Sequence, residues 1–256
     1  MGKRKMNGEK TFFTPGTSVA GKRLLAFDLD GTMTQHRTPP SGEVYGVLRK
    51  LSQKYRLLMV GAGDVLRIDR QMEHFPIDVL GNYGMQFGKR LPDGSLEITD
   101  LGKYEPDRES VEDRVSFLRE KYGYTSFAGD NVEFHSSGVV TIPLLGTKAD
   151  IKDKIAFDPD RSKRRAIYDF VKSLFPEYIV FVGGSSSFDM SPAPFDKGYA
   201  LSNYCKKNGI PESGVLYFGD DYGPGGNDEA VLKAGFDFVR VDDYRDFPKI
   251  IKDVFG

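Results

Sequence analysis

Three short apolar runs stand out along the chain: RLLAFDLDG (23–31), RLLMVGAGD (56–64) and GVLYF (214–218). Each is too short for a long helix and leads into Gly or Asp, as expected of a buried strand that ends in a turn. Amphipathic patterns at about 41–53 and 65–74 follow the first two runs and predict helices. The resulting strand-helix-strand-helix order implies a parallel sheet with right-handed crossovers, whose ligands bind beyond the carboxyl ends of the strands.

From about residue 79 the texture changes. In VLGNYGMQFGKRLPDGSLEI, alternating apolar positions flank an LPDGS turn, which is a hairpin signal. A charged helix at 106–121, strand-like stretches at 131–135 and 138–144, a helix near 160–174 and the run YIVFVGGSSSFDMSP follow. This mixed pattern does not continue the alternation and predicts an inserted α+β domain. Alternation resumes with a helix at 197–208, the strand at 214–218, a helix near 226–234 and a strand at 236–241. The boundaries expected are a polar tail over 1–21, core over 22–98, insert over 99–192 and core again over 193–256.

Composition narrows the choices. The 36 basic and 37 acidic residues nearly cancel, so bulk charge favours neither nucleic acid nor an anionic membrane as partner. The run RSKRR (161–165) then reads as a solvated helix face. One cysteine, Cys205, excludes an internal disulfide and suits a reducing compartment. No apolar stretch approaches the roughly 18 residues of a membrane span, and MGKRKMNGEK lacks the apolar segment of a signal peptide, so a cytoplasmic protein is expected. A homodimer is left open.

The candidate chemistry lies at the strand ends. Alternate residues of a strand share a face, so Asp28 and Asp30 can approach one point where the first strand meets Gly31. A hydrogen-bonded Asx turn would use the same residues; an EF-hand would not, since its twelfth position falls on Pro39. Asp220 ends another strand on the same sheet edge. Three carboxylates converging there call for a cation, and all-oxygen ligation favours Mg²⁺. A phosphate can then enter, and an ionised Asp can attack phosphorus.

FDLDGTMT (27–34), FDK (195–197) and GDDYGPGGND (219–228) resemble, in order, the first, lysine and acidic motifs of the haloacid dehalogenase superfamily. The Pro-Gly-Gly spacing and the upstream GGSSSFDMSP are similar to its eukaryotic-type phosphomannomutase branch, and the resemblance covers residues 22–256. It implies an α/β fold: a three-layer Rossmann-like core with a parallel sheet, plus an inserted α+β cap of type IIB. It also implies Asp28 as nucleophile and Asp30 as general acid and base, with Lys197 neutralising the phosphoryl oxygens. Mg²⁺ would be held by Asp28, Asp220, Asp228 and the backbone carbonyl of Asp30, and Asn227 would order the site beside them. Arg37, Ser187 and Asp189 match substrate-contacting positions.

Two departures shape the expected activity. VGAGD carries Ala62 and Gly63 where the superfamily places a phosphate-binding hydroxyl, leaving backbone N–H groups and Arg67 for that task. VEFHSSG puts His135 where the branch has Arg, and Lys148 and Lys154 match its later cap cations only approximately. His135 also reads as a strand histidine satisfied by its neighbours, and Arg37 as a turn cap. Lysine lacks the bidentate fork suited to phosphate. The first expectation is therefore a Mg²⁺-dependent phosphatase acting on a sugar phosphate or similar small phosphomonoester; the alternative is a phosphomannomutase interconverting mannose 6-phosphate and mannose 1-phosphate.

Overall fold

Leu24–Phe27 form β1, and all four residues are buried, as a strand covered on both faces requires. The computed structural model describes residues 17–256; most of the tail expected over 1–21 lies outside them. After β1 come α1 (Gly42–Leu51), β2 (Arg56–Val60), α2 (Val65–Gln71), β3 (Asp78–Gly81), β4 (Gln86–Arg90) and β5 (Leu96–Asp100). Next are α3 (Arg108–Tyr122), β6 (Glu133–Phe134), β7 (Val140–Pro143), α4 (Ile151–Phe157), α5 (Ser162–Leu174), β8 (Tyr178–Phe181) and β9 (Ser187–Pro192). The chain closes with α6 (Lys197–Asn208), β10 (Val215–Gly219), α7 (Glu229–Lys233), β11 (Asp237–Arg240) and α8 (Phe247–Phe255).

Seven strands form one sheet in the order β11-β10-β1-β2-β3-β4-β5. The first five run parallel; β4 and β5 join antiparallel, so the hairpin around LPDGS extends this sheet. Alternation of side chains along β1 sends Leu25 and Phe27 into a cluster with α1, α2 and α8, and Leu24 and Ala26 into a cluster with α6 and α7. Helices thus cover both faces in the expected three-layer α/β arrangement.

The other four strands form a separate sheet, β6-β7-β9-β8. Its inner face packs Ile142, Phe188 and Met190 against Val115 of α3 and Val171 of α5. Period-two alternation turns Thr141, Ser187 and Asp189 the opposite way, onto the face that lines a cavity. A small cluster of Tyr83, Met85, Val139 and Phe181 joins the two sheets, with the Tyr83 and Phe181 rings stacked at 4.4 Å and 2°.

Two helices exceed the pattern read from sequence. α4 buries none of its residues, so it leaves no apolar period facing a core. α8 does carry one: Phe247, Ile250, Ile251 and Val254 are all buried, at spacings of one helix face. Among the described residues no helix is long and apolar enough to cross a membrane.

Candidate active site

The parallel strands bring their carboxyl ends to one edge, where Asp28, the loop Gly61–Asp64, Asn82 and Asp220 all line the cavity. Asp28 continues the ladder of β1, donating its N–H to Phe218 O at 2.9 Å. Gly31 then turns the chain at φ +95°, and a Cβ there would sit 2.6 Å from Asp220 Oδ2. Only glycine both adopts that conformation and lets the two acidic segments come together. Thr32 completes the join, its hydroxyl donating to Asp220 Oδ1 at 2.8 Å.

Lys197 opens α6 behind the N-cap Asp196 and is wholly buried. Its three donors are spent on Asp28 Oδ1 at 2.7 Å, Asp228 Oδ1 at 2.8 Å and Asn227 Oδ1 at 2.7 Å. Asp228 also accepts from the Tyr217 hydroxyl at 2.6 Å and from the Asp221 N–H at 3.0 Å, so both of its oxygens are engaged. Asp28 Oδ2 meets no donor among the described residues, and Asp220 Oδ2 meets only Arg161, at 3.9 Å.

Oxygens of Asp28, Asp220 and Asp228 lie within 4.8 Å of one another. Burial pushes Asp28 up to about 7 against the pull of Lys197, with the charges of Asp228 and Asp30 adding to the rise. Asp220 is driven well above the ordinary carboxylate range by burial and by the charges of Asp28 and Asp228. Burial works against the Lys197 ammonium, yet Asp228 and Asp28 hold its value above the usual one. One ammonium among three carboxylates, Asp28 and Asp228 buried and Asp220 partly so, leaves a deficit of positive charge that Arg161, no nearer than 3.9 Å to Asp220, does not close. The donor set is oxygen only, and Asp28 and Asp220 each keep an oxygen open, so the residues fit a hard divalent cation such as Mg²⁺.

Asp30 points elsewhere. It accepts from Arg67 at 3.1 Å, Gln71 at 2.7 Å and the Arg37 N–H at 2.8 Å, with His36 at 3.8 Å. Burial opposes its ionisation, but Arg67, His36 and these hydrogen bonds hold its carboxyl below the ordinary value. Its carboxylate is outside the three-acid cluster, so any metal contact falls to its carbonyl.

A cavity of about 690 Å³ extends from this cluster to the second sheet. Arg37, His135, Ser187, Asp189 and Asn227 line it. His135 Nε2 lies 3.1 Å from Thr141 Oγ1, which donates to Asp189 at 2.8 Å; the Tyr83 hydroxyl donates to the same carboxylate at 3.3 Å. Since the single Thr141 proton goes to Asp189, His135 donates to Thr141.

The cationic lining differs from the sequence reading. Neither Lys148 nor Lys154 lines the cavity, and the Lys154 ammonium donates to Thr147 O at 2.9 Å. The run 161–165 is not a solvated face. Arg161 lines the cavity and pairs with Asp221, and Arg165 approaches the same carboxylate at 3.7 Å. Arg164 is fully buried on Asp158 at 2.7 Å. The signal was present in the spacing: positions 161, 164 and 165 share one side of a helical turn.

A family model for eukaryotic phosphomannomutase matches residues 44–255. The chain belongs to the eukaryotic phosphomannomutase family. The phosphomannomutase of Saccharomyces cerevisiae is 31% identical over 224 residues, covering 82% of this chain and 84% of that protein. Among solved structures, IMP-nucleotidase from Plasmodium falciparum superposes with a TM-score of 0.66 at 14% identity, over 92% of this chain and 68% of that one. A haloacid dehalogenase-like hydrolase from B. subtilis gives 0.56 at 16% identity, over 84% and 88%. These structures share the fold. Membership in a phosphomannomutase family within the haloacid dehalogenase fold makes this an enzyme of phosphoryl transfer and favours the mutase alternative over the hydrolase expected first.

Proposed function

We propose that this member of the phosphomannomutase family interconverts mannose 6-phosphate and mannose 1-phosphate through an aspartyl phosphate on Asp28. The observation that supports it most is the open Oδ2 of Asp28, a carboxylate oriented through its other oxygen by buried Lys197 beside Asp220. Asp28 and Asp220 would hold Mg²⁺ with the Asp30 carbonyl, and the ion supplies positive charge that offsets the crowded carboxylates and the incoming phosphate.

In the first half-reaction an Asp28 oxygen attacks phosphorus, the bond from phosphorus to the sugar oxygen breaks, and the leaving oxygen takes a proton from Asp30. In the second, a sugar hydroxyl attacks the phosphoryl group, gives its proton to Asp30 and frees Asp28. Asp30 must first take up a proton and turn from Arg67 toward the leaving oxygen. Lys197 keeps Asp28 oriented throughout, and His135, Ser187 and Asp189 offer the sugar its polar contacts.

The test is mannose 1-phosphate with Mg²⁺ and a catalytic trace of a hexose bisphosphate, followed by ³¹P NMR. Conversion to the 6-phosphate is expected; no change in either ester overturns the reading. Hydrolysis is kept as a second reading on one specific observation: Lys148 and Lys154 stand off the cavity and Arg161 is tied to Asp221, leaving a distal phosphate little cationic grip from the second sheet's side. Its outcome in the same tube is free phosphate.

A further inference from the structure

The loop after β2 lacks a hydroxyl, yet it is held firmly in place. Gly61 N donates to Leu80 O at 2.8 Å, Asn82 N donates to Gly63 O at 2.7 Å, and Asp64 caps α2 by accepting from Arg67 N at 2.8 Å. From the first turn of α2 the Arg67 side chain folds back over Gly63. A Cβ built on Gly63 overlaps the guanidinium, meeting its Nε, its terminal NH2 nitrogen and its central carbon. A serine or threonine at 63 and the present place of Arg67 therefore exclude each other.

The guanidinium is also fixed and half open. Its NH1 donates to Asp30 Oδ2 at 3.1 Å and to Gln71 Oε1 at 2.8 Å, and Gln71 in turn donates to Asp30 Oδ1 at 2.7 Å and Thr38 O at 2.9 Å. Its remaining donors, on Nε and NH2, meet no acceptor among the described residues, and Arg67 lines the cavity beside Asp30. Open donors on one planar, permanently charged fork match phosphoryl oxygens.

We propose that Arg67 grips the transferring phosphoryl group in place of the missing hydroxyl, and that Gly63 is the residue that makes room for it. The proposal rests on the phosphoryl-transfer reading. Arg67 would contact substrate through Nε and NH2, while NH1 keeps its bond to Gln71 and releases Asp30 as that carboxyl turns to the leaving oxygen.

The experiment compares wild type with Arg67→Ala, Arg67→Lys, Gly63→Ser and the double variant Gly63→Ser/Arg67→Ala. It reads kcat and KM for Mg²⁺-dependent phosphoryl transfer and, separately, the affinity for beryllium trifluoride with Mg²⁺ by ¹⁹F NMR. Arg67→Ala is expected to lower kcat/KM by about 10²- to 10³-fold, as loss of one charged donor does at such sites. Arg67→Lys should retain more activity than Arg67→Ala, and Gly63→Ser alone should lose about tenfold by displacing the guanidinium. The double variant should exceed Arg67→Ala, since it regains a hydroxyl, and beryllium trifluoride affinity should follow the same order. Melting curves by circular dichroism show which variants fold; Arg67→Gln, which keeps hydrogen bonds without the charge, replaces any Arg67→Ala protein that does not. Turnover and fluoride affinity of Arg67→Ala within threefold of wild type overturn this inference alone, as does a double variant no better than Arg67→Ala. A wild-type protein that transfers no phosphoryl group overturns the functional reading and this inference together.

Discussion

The two walls of the cavity are built on different terms. On the core side, Asp28, Lys197 and Asp228 are buried at strand and helix ends, and every donor of Lys197 is committed. On the other side stand a two-residue strand, β6, and the helix α4, whose Ile151 and Ile155 line the cavity at 61% and 54% exposure. Chemistry common to a superfamily needs preorganised charge in a dry, rigid setting, whereas specificity needs only a surface that meets one substrate. Substitution at the first wall should therefore cost both activity and stability, and at the second mainly the choice of substrate.

The hardest test of this contrast is Asp28→Asn, which removes the proposed nucleophile; transfer should fall by about 10³-fold or more in a Mg²⁺-dependent ester assay. Retained turnover would dissolve the distinction between the walls. Lys197→Met should follow closely. It leaves two buried carboxylates facing each other without their ammonium, at a cost of about 3–5 kcal/mol measured by urea unfolding.

The acidic cluster also predicts how pH and metal act together. Asp28 has a folded value raised to about 7 from 3.8, so the folded state favours its protonated form. In Mg²⁺-free buffer its contribution falls as pH rises from the unfolded value through the folded one. Added Mg²⁺ should raise the melting temperature more at pH 8 than at pH 5.5; equal shifts would argue against a metal at Asp28. The Arg164–Asp158 pair has the opposite sign. Burial works against the Asp158 carboxylate, but hydrogen bonds from the Arg164 side chain and the Lys163 and Arg164 N–H groups hold its value below 3.8. Its stabilisation is complete above that value and is lost as acid takes the pH below it. Asp158→Asn should flatten this acid limb in a stability-against-pH profile.

The smallest expected effect sharpens the comparison from the other wall. Lys148→Ala and Lys154→Ala should each change stability by no more than about 0.5 kcal/mol and KM by less than about threefold, since neither side chain lines the cavity. A large loss of 6-phosphate formation in either would show that the second sheet moves inward on substrate and brings these ammonium groups with it.

What could be read from the chain follows from where each residue is anchored. Asp28, Asp30, Lys197 and Asp220 sit next to apolar runs or capped helix starts, and parallel strands must deliver their ends to one edge. Ser187 and Asp189 were reached by resemblance to a sugar-contacting strand, and the period-two alternation of β9 turns both onto the cavity face. The Lys148 and Lys154 assignments relied on approximate correspondence across a segment that includes α4, which has no buried face to set its register. Arg161 and Arg164 were hidden in a basic run, because the acids that neutralise them, Asp221 and Asp158, become partners only on folding.

By itself, then, the sequence determined the α/β alternation, the sheet edge that carries the carboxylates and the need for positive charge among them, because these follow from local periodicity and the geometry of strand ends. Only the tertiary structure decided which cations face the cavity, that Arg67 lies over Gly63, and that Asp30 is turned aside onto Arg67 and Gln71. Those outcomes depend on how long side chains from separate segments compete for the same few acceptors, a contest no single stretch of chain can settle.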